Sequence, residues 1–334
     1  MQAAMNRTAF PHGPCPWGEA VAYKEIPFQT ISDNERCPMD LYVRIKDDYR
    51  LFAAQGATFT AEHYRQFGKG GVKLYILDHD LAKAEEYLDN QLAVVLTDPQ
   101  VSRSAKADIM YATSMKSVRD VFQGTSLKTI KELEKISKNI VKLILSDGQV
   151  IDDLISISSH DHYTYKHSVK VGIFGTALSI NLFQDRINDH NLAELSTAFF
   201  LHDIGMARVP ARILDKQGEL TPNEWDVVRK HPLWGHDRLV KAKYLSDEAT
   251  DIVLYHHERC DKQGYPFRKG GSDIPVYARI CAIADTFEAL TSDRPFRPAR
   301  TPFEALRIMQ TEMAGEFDPD LFRAFIMLLG PDAR

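Results

Sequence analysis

The chain carries no surplus of positive charge: 41 Lys and Arg stand against 46 Asp and Glu, a formal net charge of −5 over 334 residues. That balance removes the usual electrostatic basis for nucleic-acid binding, which needs a basic domain or stripe, so no DNA partner is expected. There is also no apolar run approaching the roughly 20 residues that cross a bilayer, so no membrane span is expected. The first residues, MQAAMNRTAFPHGPCPWGEA, are interrupted by prolines and lack a continuous apolar segment, which argues against a signal peptide. Cysteine is scarce. Cys15, Cys37, Cys260 and Cys281 are widely spaced with no C-x-x-C pair, the pattern of reduced thiols rather than of a disulfide framework or a thiolate zinc site. The expected compartment is the cytoplasm. Internal repeats and low-complexity tracts are missing as well.

What the chain does have is an uneven supply of histidine. Of twelve, only His12, His63 and His79 precede residue 160, and the other nine fall between His160 and His257. The surrounding sequence changes character too. Residues 1–21 read as an irregular arm and 22–97 as a small α/β module. In that module MDLYVRI (39–45) and KLYILD (73–78) are strand-like, while TFTAEHYRQFGKGG (58–71) and AKAEEYLDNQLAVVL (82–96) are helix-like. Residues 98–148 read as a helical linker region, in which Ile130, Leu133, Ile136, Ile140 and Leu143 recur at helical spacing. From 149 to 334 the pattern is an all-helical bundle. Its helix starts are signed by TPNE (221–224), TPFE (301–304) and Asp318-Pro319, each a cap followed by proline. The expected fold class is therefore mainly α, a C-terminal helical bundle with a smaller N-terminal α/β module.

The polar residues of the bundle recur about once per helix and connection. His167 lies in HYTYKHSVKVGIFGTAL, His202 and Asp203 end NLAELSTAFFLHD, and His231 begins HPLWGHDRLV. His256 and His257 end DEATDIVLYHHE, and Asp285 sits within VYARICAIADTFEAL. Bundles build metal sites by converging such side chains on the interior. Five histidines and two aspartates exceed the four ligands of a tetrahedral ion. They suit two octahedral ions bridged by a carboxylate, with Asp203 as the natural bridge. Imidazole with carboxylate favours iron, manganese or zinc. Single residues also have plainer readings. A helix-end histidine meeting the dipole accounts for His202 alone, and His231 before a proline can be structural.

Six blocks in order resemble the HD-GYP subgroup of the HD-domain metal-dependent phosphohydrolases: YTYKHS (163–168), LHDIG (201–205), KHPLWG (230–235), HHERCDKQGYP (256–266), ADTFEALTSDRPFR (284–297) and EFDP (316–319). Members are bacterial phosphodiesterases of the second messenger cyclic di-GMP. The resemblance covers about residues 150–330. It implies an HD-type helical domain that cuts cyclic di-GMP to linear pGpG and on to GMP. It also implies two divalent transition-metal ions, iron or manganese first, with zinc, nickel or cobalt as alternatives. His167, His202, Asp203 and Asp285 would surround one ion, and Asp203, His231, His256 and His257 the other. Members with a third metal carry a glutamate where this chain has Tyr163, so two ions are expected. Implied partners are cyclic di-GMP or a related cyclic dinucleotide, GGDEF-type or other signalling proteins, and a second copy of the chain in a homodimer.

Two cations roughly 3.5–4 Å apart can lower the pKa of a shared water and offset charge on a phosphate, so the site needs ligands more than a side-chain nucleophile. Asp203, Tyr265 and Glu258 are the residues assigned to the chemistry. Tyr265 would bond a phosphate or merely pack its turn. Glu258 would orient a ligand histidine or stand as a solvated helix-end carboxylate. Tyr265, Arg294, Arg297 and Arg208 are the candidates for substrate contact; the arginines offer planar forks for phosphate or guanine, or are exposed loop residues. Two departures from the family pattern stand out. The lysine of HDIGK is Met206, with Arg208 as its nearest substitute, and one glycine of DGxGYP is Lys262. These departures leave three further readings open: a weakly active binding or interaction module, a phosphodiesterase for another cyclic dinucleotide, and a helical scaffold with structural histidines.

Overall fold

The computed structural model describes residues 23–26, 35–46, 48–60, 73–80, 101–157, 163–214, 218–293 and 298–330, with residues 62, 83, 84, 87, 92, 94–99 and 216 besides. The chain divides into two compact units, Met1–Asp98 and Pro99–Arg334. No described helix is long and apolar enough to cross a membrane.

In the first unit, strands β1 (Tyr23–Ile26), β3 (Leu41–Ile45), β4 (Asp48–Ala53) and β6 (Leu74–Leu77) form an antiparallel sheet in the order β1-β6-β3-β4. Strands β2 (Glu35–Arg36) and β5 (Thr58–Phe59) pair separately. Strand alternation sends Leu41, Leu74 and Ile76 into a core with Cys37, Met39, Phe59 and Ala84. Tyr23, Tyr42, Tyr49 and Tyr75 form a contiguous aromatic cluster, with Tyr23 and Tyr49 stacked at 4.0 Å. The strands expected within 39–45 and 73–78 are present. The stretch expected as a helix over 58–71 instead begins with strand β5, and residues 61 and 63–71 lie outside the described residues. Helical residues at 83–84, 87, 92 and 94–96 fall in the second expected helix, and residue 97 is helical one position beyond it.

The second unit is helical. Helices α1 (Arg103–Gln123), α2 (Leu127–Ser146) and α3 (Val150–Ser156) precede the long helix α4 (Tyr163–Phe183). Residues 171–180 of α4 are buried on every side, as expected of a helix apolar all round at the centre of a bundle. Gly172 and Gly175 make room for α5 (Leu192–Phe200), since a Cβ at either would collide with the ring of Phe200 or Phe199. Next come the short α6 (Ala211–Leu214), α7 (Pro222–Val228), α8 (His231–Ala242) and α9 (Asp247–Tyr255). Helices α10 (Val276–Thr291), α11 (Pro302–Thr311) and α12 (Pro319–Leu328) complete the unit. Phe174 of α4, Phe287 of α10 and Phe325 of α12 meet edge to face at 5.2–5.7 Å. Removing one such ring costs about 3–5 kcal/mol, so this cluster fixes α4 against α10, the two helices that carry His167 and Asp285.

The capping boxes read at Thr221 and Thr301 form as reciprocal Thr–Glu pairs, and Asp318 caps α12. Helix α5 stops earlier than its apolar run. It ends at Phe200, and Leu201, His202 and Asp203 form a turn into a 3-10 segment, Ile204–Arg208.

Candidate metal centre

Three of the proposed ligands lie just past helix C-termini: His202 after α5, His231 after α7 and His256 after α9. Helix ends leave backbone carbonyls without intrahelical partners. Each histidine takes one up. Nδ1 of His202 donates to Phe199 O at 2.9 Å, that of His231 to Val228 O at 2.8 Å, and that of His256 to Val253 O at 2.9 Å. A carbonyl only accepts, so Nδ1 carries the hydrogen and Nε2 is left as a bare lone pair. The helix-ending role and the ligand role of His202 are thus one arrangement. His167, inside α4, reaches the same state differently, with its Nδ1 in hydrogen-bond contact with Glu288 of α10.

The bare nitrogens converge. His167 Nε2 lies 3.2 Å from His202 Nε2, and His231 Nε2 lies 3.2 Å from His256 Nε2. Asp203 stands between the pairs and divides its oxygens: Oδ1 is 3.1 Å from His231 and 3.7 Å from His256, while Oδ2 is 3.6 Å from His202 and 3.7 Å from His167. Asp285 Oδ1 is 3.1 Å from His167 Nε2, and its Oδ2 is 3.7 Å from His257 Nδ1. Two groups result, Asp203-His231-His256-His257 and His167-His202-Asp285, each with ligand atoms within 4.8 Å of one another.

This donor set fits cations. In each pair two nitrogen lone pairs face each other with no hydrogen between them, beside a carboxylate, an arrangement that repels itself until a positive charge enters. Protons are a poor source of that charge. Burial pushes His202 down to about 4, and burial together with His256 and His231 holds His257 well below its usual value. Burial alone would raise the Asp203 carboxyl, but His202, His231 and His256 outweigh it and hold the group well below the usual carboxylate range. Asp285 is lowered in the same way, its burial offset chiefly by His167. The His/Asp cluster is therefore able to hold metal. The cluster is buried unequally: His202 is 0% exposed, against 16% for Asp203, 14% for Asp285 and 27% for His257.

Around this floor the remaining candidates fall into place unevenly. Gly205 admits the 3-10 segment against the start of α8, where a Cβ would meet the His231 carbonyl. Met206 then packs against the cluster of Val209, Ile213 and Val228 rather than standing free. Arg208 is exposed, its guanidinium 5.1 Å from the Trp234 ring. Tyr265 stacks on His257 at 4.7 Å, and burial with the nearby Asp203 and Asp285 pushes its hydroxyl far up. Lys262 adopts the left-handed conformation, φ 68°, and its stem lies over Gly270. Glu258 touches no ligand histidine; its Oε1 accepts from the Phe267 N–H at 2.6 Å. Arg294 and Arg297 lie outside the described residues, as does the side chain of Tyr163. Glu288, with Ser292 donating to its second oxygen, is the contributor that the spacing of histidines did not reveal. The signal available for it was a carboxylate one helical turn after Asp285.

The family described as HD domain matches residues 150–321. A cyclic di-GMP phosphodiesterase of Pseudomonas aeruginosa, PA4108, is 36% identical over 219 residues, which cover 66% of this chain and 52% of that protein. A probable cyclic di-GMP phosphodiesterase of Vibrio cholerae is 39% identical over 215 residues, covering 62% of this chain and 48% of its own length. From the same organism, 3'3'-cGAMP-specific phosphodiesterase 3 is 32% identical over 54% of this chain and 37% of its own length. The chain thus spans about half the length or less of these relatives. Among solved structures, Bd1817, an HDG"Y"P protein from Bdellovibrio bacteriovorus, aligns with a TM-score of 0.65 at 21% identity, covering 92% of this chain and 99% of that one. That likeness bears on the fold, which is mainly α with a smaller sheet-bearing unit.

Proposed function

The chain belongs to the HD-domain family, and from that premise we propose that it hydrolyses the 3′,5′-phosphodiester of cyclic di-GMP to pGpG, and further to GMP. The observation that carries this reading is the divided carboxylate of Asp203, one oxygen on each of two histidine pairs. His167, His202 and Asp285 with one Asp203 oxygen would hold one divalent transition-metal ion, and His231, His256 and His257 with the other oxygen a second. Iron or manganese suits imidazole with carboxylate best, with zinc, nickel or cobalt as alternatives. Two ions bound there would supply an activated water for in-line attack at phosphorus and offset charge on the phosphate oxygens.

The chain's own residues do the rest. Phe199, Val228 and Val253 hold three imidazoles in one tautomer through their carbonyls, and Glu288 does the same for His167. Tyr265, its hydroxyl kept protonated across the physiological range, is a hydrogen-bond donor for a phosphate oxygen above His257. Arg208, spread over Trp234, offers a fork for phosphate or a guanine edge. The test is a metal count on anaerobically prepared protein combined with a cyclic di-GMP turnover assay. Two ions per chain and accumulation of pGpG are expected; intact cyclic di-GMP under conditions where an active relative cleaves it would reject the proposal.

A second reading is a weakly active protein that binds metal and cyclic dinucleotide as an interaction module. It is favoured by Met206, which packs among apolar side chains where the family has a cation. The substrate alternative, a mixed cyclic dinucleotide, is decided by comparing kcat/KM for cyclic di-GMP and 3'3'-cGAMP.

A further inference from the structure

We propose that Glu258 is a positioning residue, whose buried carboxylate anchors the Tyr265 loop over the metal centre and takes no part in holding metal or orienting a histidine. Its position directly after His256 and His257 invites those two other roles, and the geometry excludes both. The Nδ1 atoms of His167, His202, His231 and His256 are already partnered, by Glu288 and by three carbonyls. His257 turns its Nδ1 toward Asp285 at 3.7 Å. Glu258 belongs to neither ligand group. It is only 2% exposed, its Oε1 is 2.6 Å from the Phe267 nitrogen, and its enclosed Oε2 makes no hydrogen bond within the protein.

The loop explains why an anchor is needed. Proline has no N–H, so between Tyr265 and Phe267 the backbone offers two donors. Tyr265 N–H goes to His257 O at 3.1 Å, and Phe267 N–H goes to Glu258. Gly264 lies so close to the Glu258 backbone that a Cβ would collide with it. Phe267 itself is 54% exposed, with its ring 5.8 Å from that of Tyr255, so side-chain packing on one neighbour supplements the backbone bond rather than replacing it. The carboxylate thus takes up the N–H on the far side of Pro266, and it sets where the Tyr265 ring stacks on His257.

The test reads the loop directly. Trypsin sites at Arg259, Lys262, Arg268 and Lys269 all lie in this segment. In full-length, metal-loaded protein, E258A should be cut there about tenfold faster than wild type, the factor expected from losing one hydrogen bond of local stability. E258Q, which keeps the acceptor at Oε1, should stay within about twofold of wild type. Metal content should match wild type in both. The kinetic arm rests on the phosphodiesterase reading: KM for cyclic di-GMP should rise about tenfold in E258A with kcat little changed. If E258A does not fold, E258D, one methylene short of Phe267, should show the same loss of protection. Unchanged protease resistance in E258A or E258D, or loss of metal while the loop stays protected, would overturn the assignment. If wild type cleaves no cyclic dinucleotide, the activity reading fails while the protease and metal measurements still decide the anchor.

Discussion

His202, His231 and His256 each spend one ring nitrogen on the carbonyl three residues back, whereas Met206, Lys262 and Arg208 in the bordering loops are placed by packing or by backbone conformation alone. The first set is buried and doubly determined: the helix end fixes the ring, and the ring's free nitrogen faces a shared centre. Exchange of any one strands both a carbonyl and a ligand position. The second set is exposed or half-buried, Met206 against an apolar cluster and Arg208 against the Trp234 ring. This difference explains how the chain keeps two His/Asp groups able to hold metal while a lysine and a glycine of the resembling pattern are changed beside them. A non-glycine residue in the left-handed region costs about 1–2 kcal/mol, which a loop can absorb; a misdirected ligand cannot be absorbed in the same way.

The comparison breaks most completely at Asp203, the residue whose two oxygens face different groups. Asp203→Ala should abolish the proposed cyclic di-GMP hydrolysis, by at least about 10³-fold, and bring the metal count from the proposed two ions per chain toward zero. Plasma emission spectroscopy checks the count, and retained helical circular dichroism checks the fold. One ion remaining per chain would show the groups to be independent. Glu288→Ala is the next test, because Glu288 orients only His167. Such supporting carboxylates are worth about 10–100-fold in metal affinity. The His167-His202-Asp285 group should therefore empty first on titration with a chelator, the other group should hold, and excess metal should restore activity.

How much of this was readable from sequence follows the same division. The capping boxes at Thr221 and Thr301 and the one-ligand-per-helix recurrence are local patterns, and they appear where the residues indicate. Glu288 was not readable, because its partner His167 is 121 residues away and only the α4–α10 packing brings them together. Strand β4 escaped for a different reason. Its hairpin turns through Lys46, at φ 58°, without the glycine or asparagine that usually marks such a turn. The partner of Glu258 was not readable either, because adjacency to two histidines says nothing about which way a buried carboxylate points.

Met206 sharpens the comparison from the loop side. If the floor and its border are separable, Met206→Lys should leave the metal count unchanged and raise kcat/KM for cyclic di-GMP about three- to tenfold, the scale of one added cation near a phosphate. The substitution also takes an apolar chain out of the cluster with Val209, Ile213 and Val228, so Tm should fall by a few degrees. Unchanged kcat/KM would mean that the missing cation is not what limits this site, and would move attention to Arg208 on its Trp234 platform.

The smallest expected effect concerns the route by which helix ends support the floor. Glu224 caps α7, the helix whose Val228 carbonyl orients His231, and Lys216 at 2.5 Å with the Thr221 N–H holds its carboxyl down at about 2 against an ordinary 4.5. A folded-state pKa below the unfolded one means that stability is gained while the group is ionised. The contribution is complete above the unfolded pKa of about 4.5 and is lost as pH falls from there toward 2. Glu224→Gln keeps the acceptor but not the charge. In metal-stripped protein it should lower Tm by about 1–2 °C at pH 7, and the gap from wild type should narrow steadily below pH 4.5. Absence of a gap at pH 7 would show that the hydrogen bond to Thr221, which Gln retains, and not the charge facing Lys216, holds this end of α7.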